Sequence, residues 1–585
     1  MGLDNKTKSR AALAGAAILA VMLVLAGRLY YIQIIASDEI IENARGQFLT
    51  RIKEPPPRGD IICMRNGYPV LLAASIYMPT LLANPRAVED RQDVAGKLAT
   101  ILGRDADEMF RLLNRTTFVD AAGRVRPNYY VRIAGALSRY QAEQIRGLGC
   151  SALRLVDHPV RVYPRAKFLS TVLGFTGRDE DGFQNRGLEG LERYFDEDLR
   201  GERGEKIYIA DARRKKISLL KEQSNPAKKG ATIVLTINPD IQEFTEAALA
   251  EAFEKWRPES ATAIVMDPGT GDILAMANLP DFDPNHYNAY SAEMRRNRAV
   301  TDTFEPGSTI KPFIASAVLS ENLATPESSF KCFGSVEGRG IGDHCSGWLT
   351  LRDVIVKSSN IGAARMALML NRRDMLQPWI LRCGFGRRTG IDFPGERRGC
   401  VPSSRRCSRI TAGSVGFGHA VTVTPLQIVR AYCAIANDGK LVRPGLVRAI
   451  IGRDGIRRDV ERGETVEIMS GEIARLMRGI LQDVVERGTG EKARIPGYSI
   501  GGKTGTAEIV VNGVYSHSRH ISTFVGIGPI ENPRLVVLLT VNDPRGGKFG
   551  GTVAAPGVGE ILRRSLRLLD AENTPTTIPD RTLNQ

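Results

Sequence analysis

From Ala11 to Gly27 the chain runs through seventeen consecutive residues without a charge, most of them Ala, Leu, Val or Ile. Such a stretch has no polar face, so it belongs in a core or in lipid. As a helix it spans about 26 Å, slightly less than the roughly 30 Å of a bilayer core. Arg28 interrupts it, but Leu29 to Ile35 continue mostly apolar, and a long Arg side chain can snorkel to the interface and close the gap. A cleaved signal peptide is the competing reading. The run is long for one, and no small-x-small site precedes a polar start. An uncleaved anchor over residues 11–35 is therefore expected. Lys6, Lys8 and Arg10 lie before it, and Asp38, Glu39 and Glu42 after it. That bias places residues 1–10 in the cytoplasm. Everything from about residue 36 then lies outside, on a single-pass protein of the cytoplasmic (inner) membrane.

At 585 residues the chain is too long for one compact domain, so two or more are expected. A content of 43% hydrophobic and 25% charged residues marks a globular chain able to bury sizeable cores. The formal net charge of +15 points to an anionic partner. Nucleic acid is a poor candidate, because Lys and Arg are interspersed with Asp and Glu and no zinc-finger or aromatic-basic RNA motif occurs. A lipid surface or an acidic wall polymer fits equally well. Of the eight cysteines, Cys332/Cys345 and Cys400/Cys407 flank short segments and are either disulfides of an oxidising compartment or free thiols. No CxxC, HExxH or clustered His/Cys set suggests a metal.

Residues 36–225 are charged and irregular, with short amphipathic helices such as Asp93 to Leu102. They hold no obvious nucleophile–base pair. Lys215 to Gly230, rich in Lys, Ser, Asn, Pro and Gly, reads as a connector. Beyond it, ATIVLTIN (231–238) alternates as a strand does, and ATAIVMDPGTGDILAMAN (261–278) reads as two strands around the turn Asp267 to Gly271. Helical patterns then mix with β-runs such as HISTFVGIGPI (520–530) and RLVVLLTVND (534–543). The expectation is an α/β or α+β domain with an antiparallel sheet over residues 226–570, followed by a disordered tail at 571–585.

Within FEPGSTIKPFIASAVL, Pro306 and Gly307 break what precedes and an apolar helical pattern follows. Ser308 therefore stands at a helix start with Lys311 one turn on, on the same face. A serine hydroxyl needs a base to become a nucleophile. Lysine serves only when burial or neighbouring cations depress its pKa. A helix start also offers unpaired N–H groups to an oxyanion. A second Ser-x-x-Lys, Ser218 to Lys221, lies in a highly charged connector without a Pro-Gly lead-in and reads as chance. Fifty residues past Ser308, Ser358 and Asn360 precede another apolar helix. By itself that pair is explained as Ser358 or Ser359 capping the helix. Lys503, Thr504, Gly505 and Thr506 head a β-run, where glycine lets an edge strand lie against a ligand. Alone they would be a surface turn with an exposed lysine. Ser-x-x-Lys, Ser-x-Asn and Lys-Thr-Gly-Thr in this order form a much rarer set, the signature of penicillin-binding proteins and class A β-lactamases.

The sequence resembles a class B, monofunctional penicillin-binding protein over nearly its whole length, of the septal cell-division type. GRLYYIQII (27–35) resembles that family's membrane-exit segment, and RVYP (161–164) and GLEGLE (187–192) its pedestal. LTINPDIQ (235–242), NRAVTDTFEPGSTIKP (297–312), GFGHAVTVTPLQ (416–427) and GGTVAAP (550–556) resemble its transpeptidase domain. The departures are RGDIICMRNG, with one extra residue and no Asp before the Arg, Asn238 in place of the usual Asp, and the stretch Cys332 to His344, which does not align closely. The resemblance implies a multidomain chain: anchor, mixed α+β pedestal (36–225), and a serine β-lactamase-like α/β transpeptidase domain (226–570) with an antiparallel sheet flanked by helices.

It further implies roles. Ser308 attacks the bond between the terminal D-alanines of a stem peptide, with Lys311 as base. Ser358, near Lys503, passes a proton to the leaving amine. Asn360 hydrogen-bonds the substrate amide or Lys311. Backbone N–H groups of Ser308 and Thr506 form the oxyanion hole, and Thr504 and Thr506 with Lys503 hold a carboxylate, as they would in a β-lactam. No cofactor or metal is implied. A polymerising glycosyltransferase and other division proteins are implied as partners. Side-wall synthesis during elongation is the alternative within the family. A D,D-carboxypeptidase or β-lactamase-like hydrolase uses the same triple, and a non-catalytic scaffold or drug sensor would need an output module. His344, beside Asp343, reads as a surface-loop histidine ahead of a relay, His419 equally as lining the cleft or as structural, His517 and His520 as flanking a strand start, and Arg295 to Arg298 as a solvated face or wall-contacting surface.

Overall fold

The apolar N-terminal run forms an α-helix, Asn5–Tyr30, closed by a π-helical turn at Tyr31–Ile35. It starts ahead of residue 11 because nothing in Asn5 to Arg10 breaks a helix. None of its residues is buried against the protein. From Ala11 to Gly27 it is apolar on every side, and the whole helix is uncovered and long enough to cross a membrane, which suits lipid. The computed structural model describes residues 4–37, 49–120, 123–178, 185–210, 216–220, 224–338, 340–343, 345–403, 407–511 and 513–573. They fall into two compact units.

The first unit, Met1–Pro56 with Glu202–Lys228, adds to the helix an antiparallel sheet of Leu49–Glu54, Gly204–Ala210 and Lys216–Leu219. Part of the run read as a connector is thus a strand. Ser218 lies exposed on it, and Lys221 is outside the described residues.

In the second unit, Pro57–Gly201 with Lys229 onward, one mixed sheet joins early and late segments. Strand Thr232–Leu235 pairs in parallel with Ile61–Arg65 and antiparallel with Val447–Ile451. The RVYP and GLEGLE segments meet beside it. Glu192, fully buried, takes Arg58 Nε at 2.5 Å and Arg161 Nε at 2.7 Å, and Tyr163 Oη donates to it at 3.2 Å. Asp196 holds the other side of Arg58 at 2.7 Å. Each buried cation thus has a carboxylate, which is the condition for burying charge at all.

The rest of the unit is built on a five-stranded antiparallel sheet. Its elements in chain order are α1 (Pro239–Trp256), β1 (Ser260–Met266), β2 (Ile273–Leu279), α2 (Lys311–Ser320), α3 (Asn360–Asn371), α4 (Pro425–Ala436), α5 (Gly471–Arg487), β3 (Gly501–Val511), β4 (Val514–Gly528), β5 (Leu535–Asn542) and α6 (Ala555–Asn573). The sheet order is β2-β1-β5-β4-β3. Both faces are covered, so β1 and β5 are buried almost throughout and β4 from Ser522 to Gly528. Ala263, Val265, Val537 and Leu539 pack on one face with Ile241 of α1 and Ile561 of α6. Ile264, Val536 and Leu538 pack on the other with Phe313 of α2, Leu426 of α4 and Leu481 of α5. Helix α2 is buried from Lys311 to Leu319, its Phe313 ring edge-on to Phe385 and Tyr432 at 5.3 Å. Only a helix deep inside such a layer can keep a lysine at its first position out of water.

Asn238, where the family pattern has Asp, ends the ATIVLTIN segment as the cap of α1, accepting from Asp240 and Ile241 N–H at 3.0 and 3.2 Å. The strand itself stops at Leu235. Of Arg295 to Arg298 only Arg296 is exposed, so the stretch is not one solvated face. Arg298 is buried, donating to Glu293 at 3.0 Å, and Arg295 lies over the Phe175 ring and donates to the Tyr287 and Tyr290 carbonyls. Residues 571–573, counted with the tail, complete α6, and the remaining tail lies outside the described residues.

Candidate active site

Ser308 sits on a 3-10 turn, Gly307–Ile310, that runs into α2. The turn depends on Gly307, whose φ of +53° is left-handed. A Cβ there would stand 2.9 Å from the Thr506 carbonyl oxygen. Glycine therefore lets the nucleophile's turn press against the edge strand β3, as a site that uses both backbones requires.

Lys311 opens α2 and is fully buried. Its amine donates to the Ser358 carbonyl at 2.6 Å and to Asn360 Oδ1 at 2.7 Å, and lies 3.3 Å from Ser358 Oγ. Lys503 on β3 is fully buried too, donating to Ser358 Oγ at 2.9 Å and to the Thr504 carbonyl at 3.2 Å. Ser358 is thus the meeting point of both lysines. Its φ is +60°, strained for a residue with a side chain and held by the turn between Leu351–Val356 and α3. Its neighbour Ser359, not Ser358, caps α3, accepting from Gly362 N–H at 3.0 Å.

Burial pushes Lys311 down from 10.5 to about 7, against the opposite pull of Asp343. Lys503 is pushed well below its ordinary value, first by burial and then by the Lys311 charge. An amine poised near neutrality exists as a free base at physiological pH, which an exposed lysine does not.

Ser308, Ser358, Asn360, Thr504 and Thr506 line one cavity of about 430 Å³. An adjoining one of about 680 Å³ shares Asn360, His419 and Thr506 with it and extends along Glu508, His517 and His520. All eight expected residues therefore fall on adjacent segments: Lys311 and Lys503 beneath the floor, Gly505 on β3 between the two threonines, the rest in the wall. Gly505 is packed so closely that a Cβ would stand 2.8 Å from Thr309 Cγ2. The Thr506 hydroxyl accepts from Gly550 N–H at 3.2 Å.

His419 lines both cavities and stands 3.6 Å from Glu305, which also accepts from the Tyr515 hydroxyl at 2.9 Å. His517 and His520 both lie within β4, and His344 is outside the described residues. The cysteines described are all free thiols, including both pairs. Thr489, not singled out from the sequence, shares a 2.9 Å hydrogen bond between hydroxyls with Thr504. Asp343, noted only as a neighbour of His344, accepts from Ser359 Oγ and from the first N–H groups of α3. No local pattern marks either residue, because their partners lie 15 or more positions away.

Residues 261–563 match the penicillin binding protein transpeptidase domain, and residues 53–235 the penicillin-binding protein dimerisation domain. Stage V sporulation protein D of Bacillus subtilis is 33% identical over 93% of this chain and 83% of its own length. The peptidoglycan D,D-transpeptidase FtsI of Escherichia coli K12 is 30% identical over 98% of this chain and 94% of its own. The solved structure of penicillin binding protein 3 from Mycobacterium tuberculosis, complexed with aztreonam, superposes with a TM-score of 0.66 at 28% identity, covering 90% of this chain and 98% of that one. With both domain families present in one chain, and with relatives matched nearly end to end, the protein belongs to the class B penicillin-binding proteins.

Proposed function

We propose that this chain is a membrane-anchored D,D-transpeptidase that crosslinks peptidoglycan stem peptides through an acyl-enzyme at Ser308, where β-lactams also react. The observation that carries this reading is the convergence of two fully buried amines, Lys311 and Lys503, on Ser358 in the wall of the cavity that Ser308 lines. A neutral Lys311 amine has two N–H bonds and one lone pair. With the N–H groups given to the Ser358 carbonyl and Asn360 Oδ1, the lone pair is left to take the Ser308 proton.

In the proposed step Ser308 Oγ bonds to the carbonyl carbon between the two terminal D-alanines as its proton passes to Lys311. The oxyanion rests on the Ser308 and Thr506 backbone N–H groups, which meet charge present only at the tetrahedral stage. On collapse the C–N bond breaks, Ser358, with Lys503 behind it, gives a proton to the departing amine and takes one back from the Lys311 ammonium 3.3 Å away, and D-alanine leaves. An amine of a neighbouring stem peptide then attacks the ester carbon. The Ser308 C–O bond breaks, and the incoming amine's proton returns to Ser308 through Lys311. Lys503, Thr504 and Thr506 hold the terminal carboxylate, beside Gly505.

The proposal extends to residues 1–10 in the cytoplasm, an anchor at 11–35, an extracytoplasmic pedestal (36–225) and transpeptidase domain (226–570). Septal synthesis is the role that the likeness to FtsI supports, and a polymerising glycosyltransferase and other division proteins are the partners proposed for it. Uniform side-wall signal of a fluorescent fusion, without midcell enrichment, would replace it with the elongation role. The chemistry is tested by mass spectrometry of the penicillin adduct. A long-lived adduct on Ser308 is expected, lost in Ser308→Ala and kept in Ser218→Ala. Rapid turnover of penicillin would favour the hydrolase, and labelling of Ser308→Ala would mean that another serine reacts.

A further inference from the structure

Residues Gly342 and Asp343 touch the catalytic cluster from a loop that no motif covers. One Asp343 carboxylate oxygen, Oδ2, accepts from Ser359 Oγ at 2.6 Å and from Ile361 N–H at 3.0 Å, and the other accepts from Asn360 N–H at 3.0 Å. Ser359 Oγ in turn accepts from Gly362 N–H. The first three N–H groups of α3 are thereby satisfied by one carboxylate and one hydroxyl, and the anion stands at the positive end of a twelve-residue helix. The preceding residue acts on the side chain itself. The Gly342 carbonyl accepts from Asn360 Nδ2 at 2.8 Å, which turns Oδ1 to the Lys311 amine 2.7 Å away. Ser358, whose carbonyl holds the other N–H of Lys311, is the residue immediately before this cap.

We propose that Asp343 is a positioning residue for acylation, its carboxylate fixing the start of α3 so that Asn360 and the Ser358 carbonyl hold the Lys311 amine toward Ser308. This rests on the transpeptidase reading above. It adds that the Lys311 environment is set from a loop outside the three motifs. The charged and titratable groups that act on Lys311 are Asp343 and Cys345 from that loop, Cys332 beyond the strand Ser329–Lys331, and Lys503 from β3. Asp343 is the largest influence that favours the ammonium. Replacing it with Asn removes that anion and puts an amide N–H₂ where a carboxylate oxygen accepted an N–H or O–H.

The test is the pH profile of acylation of the full-length protein in detergent by a fluorescent penicillin, resolved into limiting rate and apparent affinity. In Asp343→Asn the limiting rate is expected to fall about tenfold or more, the cost of mismatched hydrogen bonds to a charged group. The acidic limb should move to lower pH by roughly half a pH unit or more, because loss of an anion weakens the ammonium. In Asp343→Glu the charge remains, so the limb should stay while the limiting rate still falls. A role confined to helix stability would lower the folded fraction, measured by thermal melting, and leave the limb in place. An unmoved limb in Asp343→Asn, or a limiting rate per folded molecule equal to wild type, overturns the proposal. If Asp343→Asn does not fold, Asp343→Glu decides alone: a wild-type limiting rate overturns it, and a lowered one with an unmoved limb supports it. Failure of the wild type to be acylated would instead sink the transpeptidase reading.

Discussion

Changing pH should expose the Lys311 base directly. Its lowering from 10.5 to about 7 is driven by burial. At pH 7 about half of these amines are neutral, against roughly one in three thousand for an unperturbed lysine, so burial supplies on the order of a thousandfold more free base. The second-order rate of acylation by a fluorescent penicillin, normalised by active-site titration, should therefore fall about tenfold per pH unit below 6 and level off above about 8. Because Lys503 shares the Ser358 hydroxyl with Lys311, the midpoint belongs to the pair. A rate still climbing tenfold per pH unit between pH 8 and 10 would refute the reasoning, since the base would then have an ordinary lysine pKa. A profile flat from pH 5 to 9 would refute it equally, since no group titrating near neutrality would limit the step. The same burial affects stability. The folded pKa lies below the unfolded one, so between about 7 and 10.5 the unfolded chain binds the extra proton. The penalty, at most about 5 kcal/mol, is fully present below that window and is relieved as pH rises through it.

Glu192→Ala leaves Arg58 and Arg161 buried without their shared carboxylate, although Asp196 still reaches Arg58, and should destabilise the protein by about 3–5 kcal/mol. Urea unfolding measures this, and a loss under 1 kcal/mol would mean that water reaches the network. Asn238→Asp should leave the melting temperature almost unchanged, because either side chain accepts from the α1 N–H groups, whereas Asn238→Ala should cost about 1 kcal/mol. Equal stability of all three would show that the cap contributes nothing.

What the sequence determined by itself is what depends on neighbours within a turn or two. The uncharged run implied a helix suited to lipid, Asp267 to Gly271 implied the β1–β2 hairpin, and Pro306-Gly307 implied the helix start that puts Ser308 one turn before Lys311. It also supplied the three motifs in order, which is enough to name a chemistry. Tertiary structure decided what holds the amine of Lys311. Its partners, Ser358 and Asn360, lie 47 and 49 residues away, and Lys503 reaches Ser358 across 145. No periodicity encodes such separations, which arise only when α2, α3 and β3 pack around one core. The choice between Ser358 and Ser359 as helix cap, the burial of Arg298 and the grip of Asp343 on α3 are of the same kind. Each turns on which groups lose water together, and a sequence lists those groups without saying which ones meet.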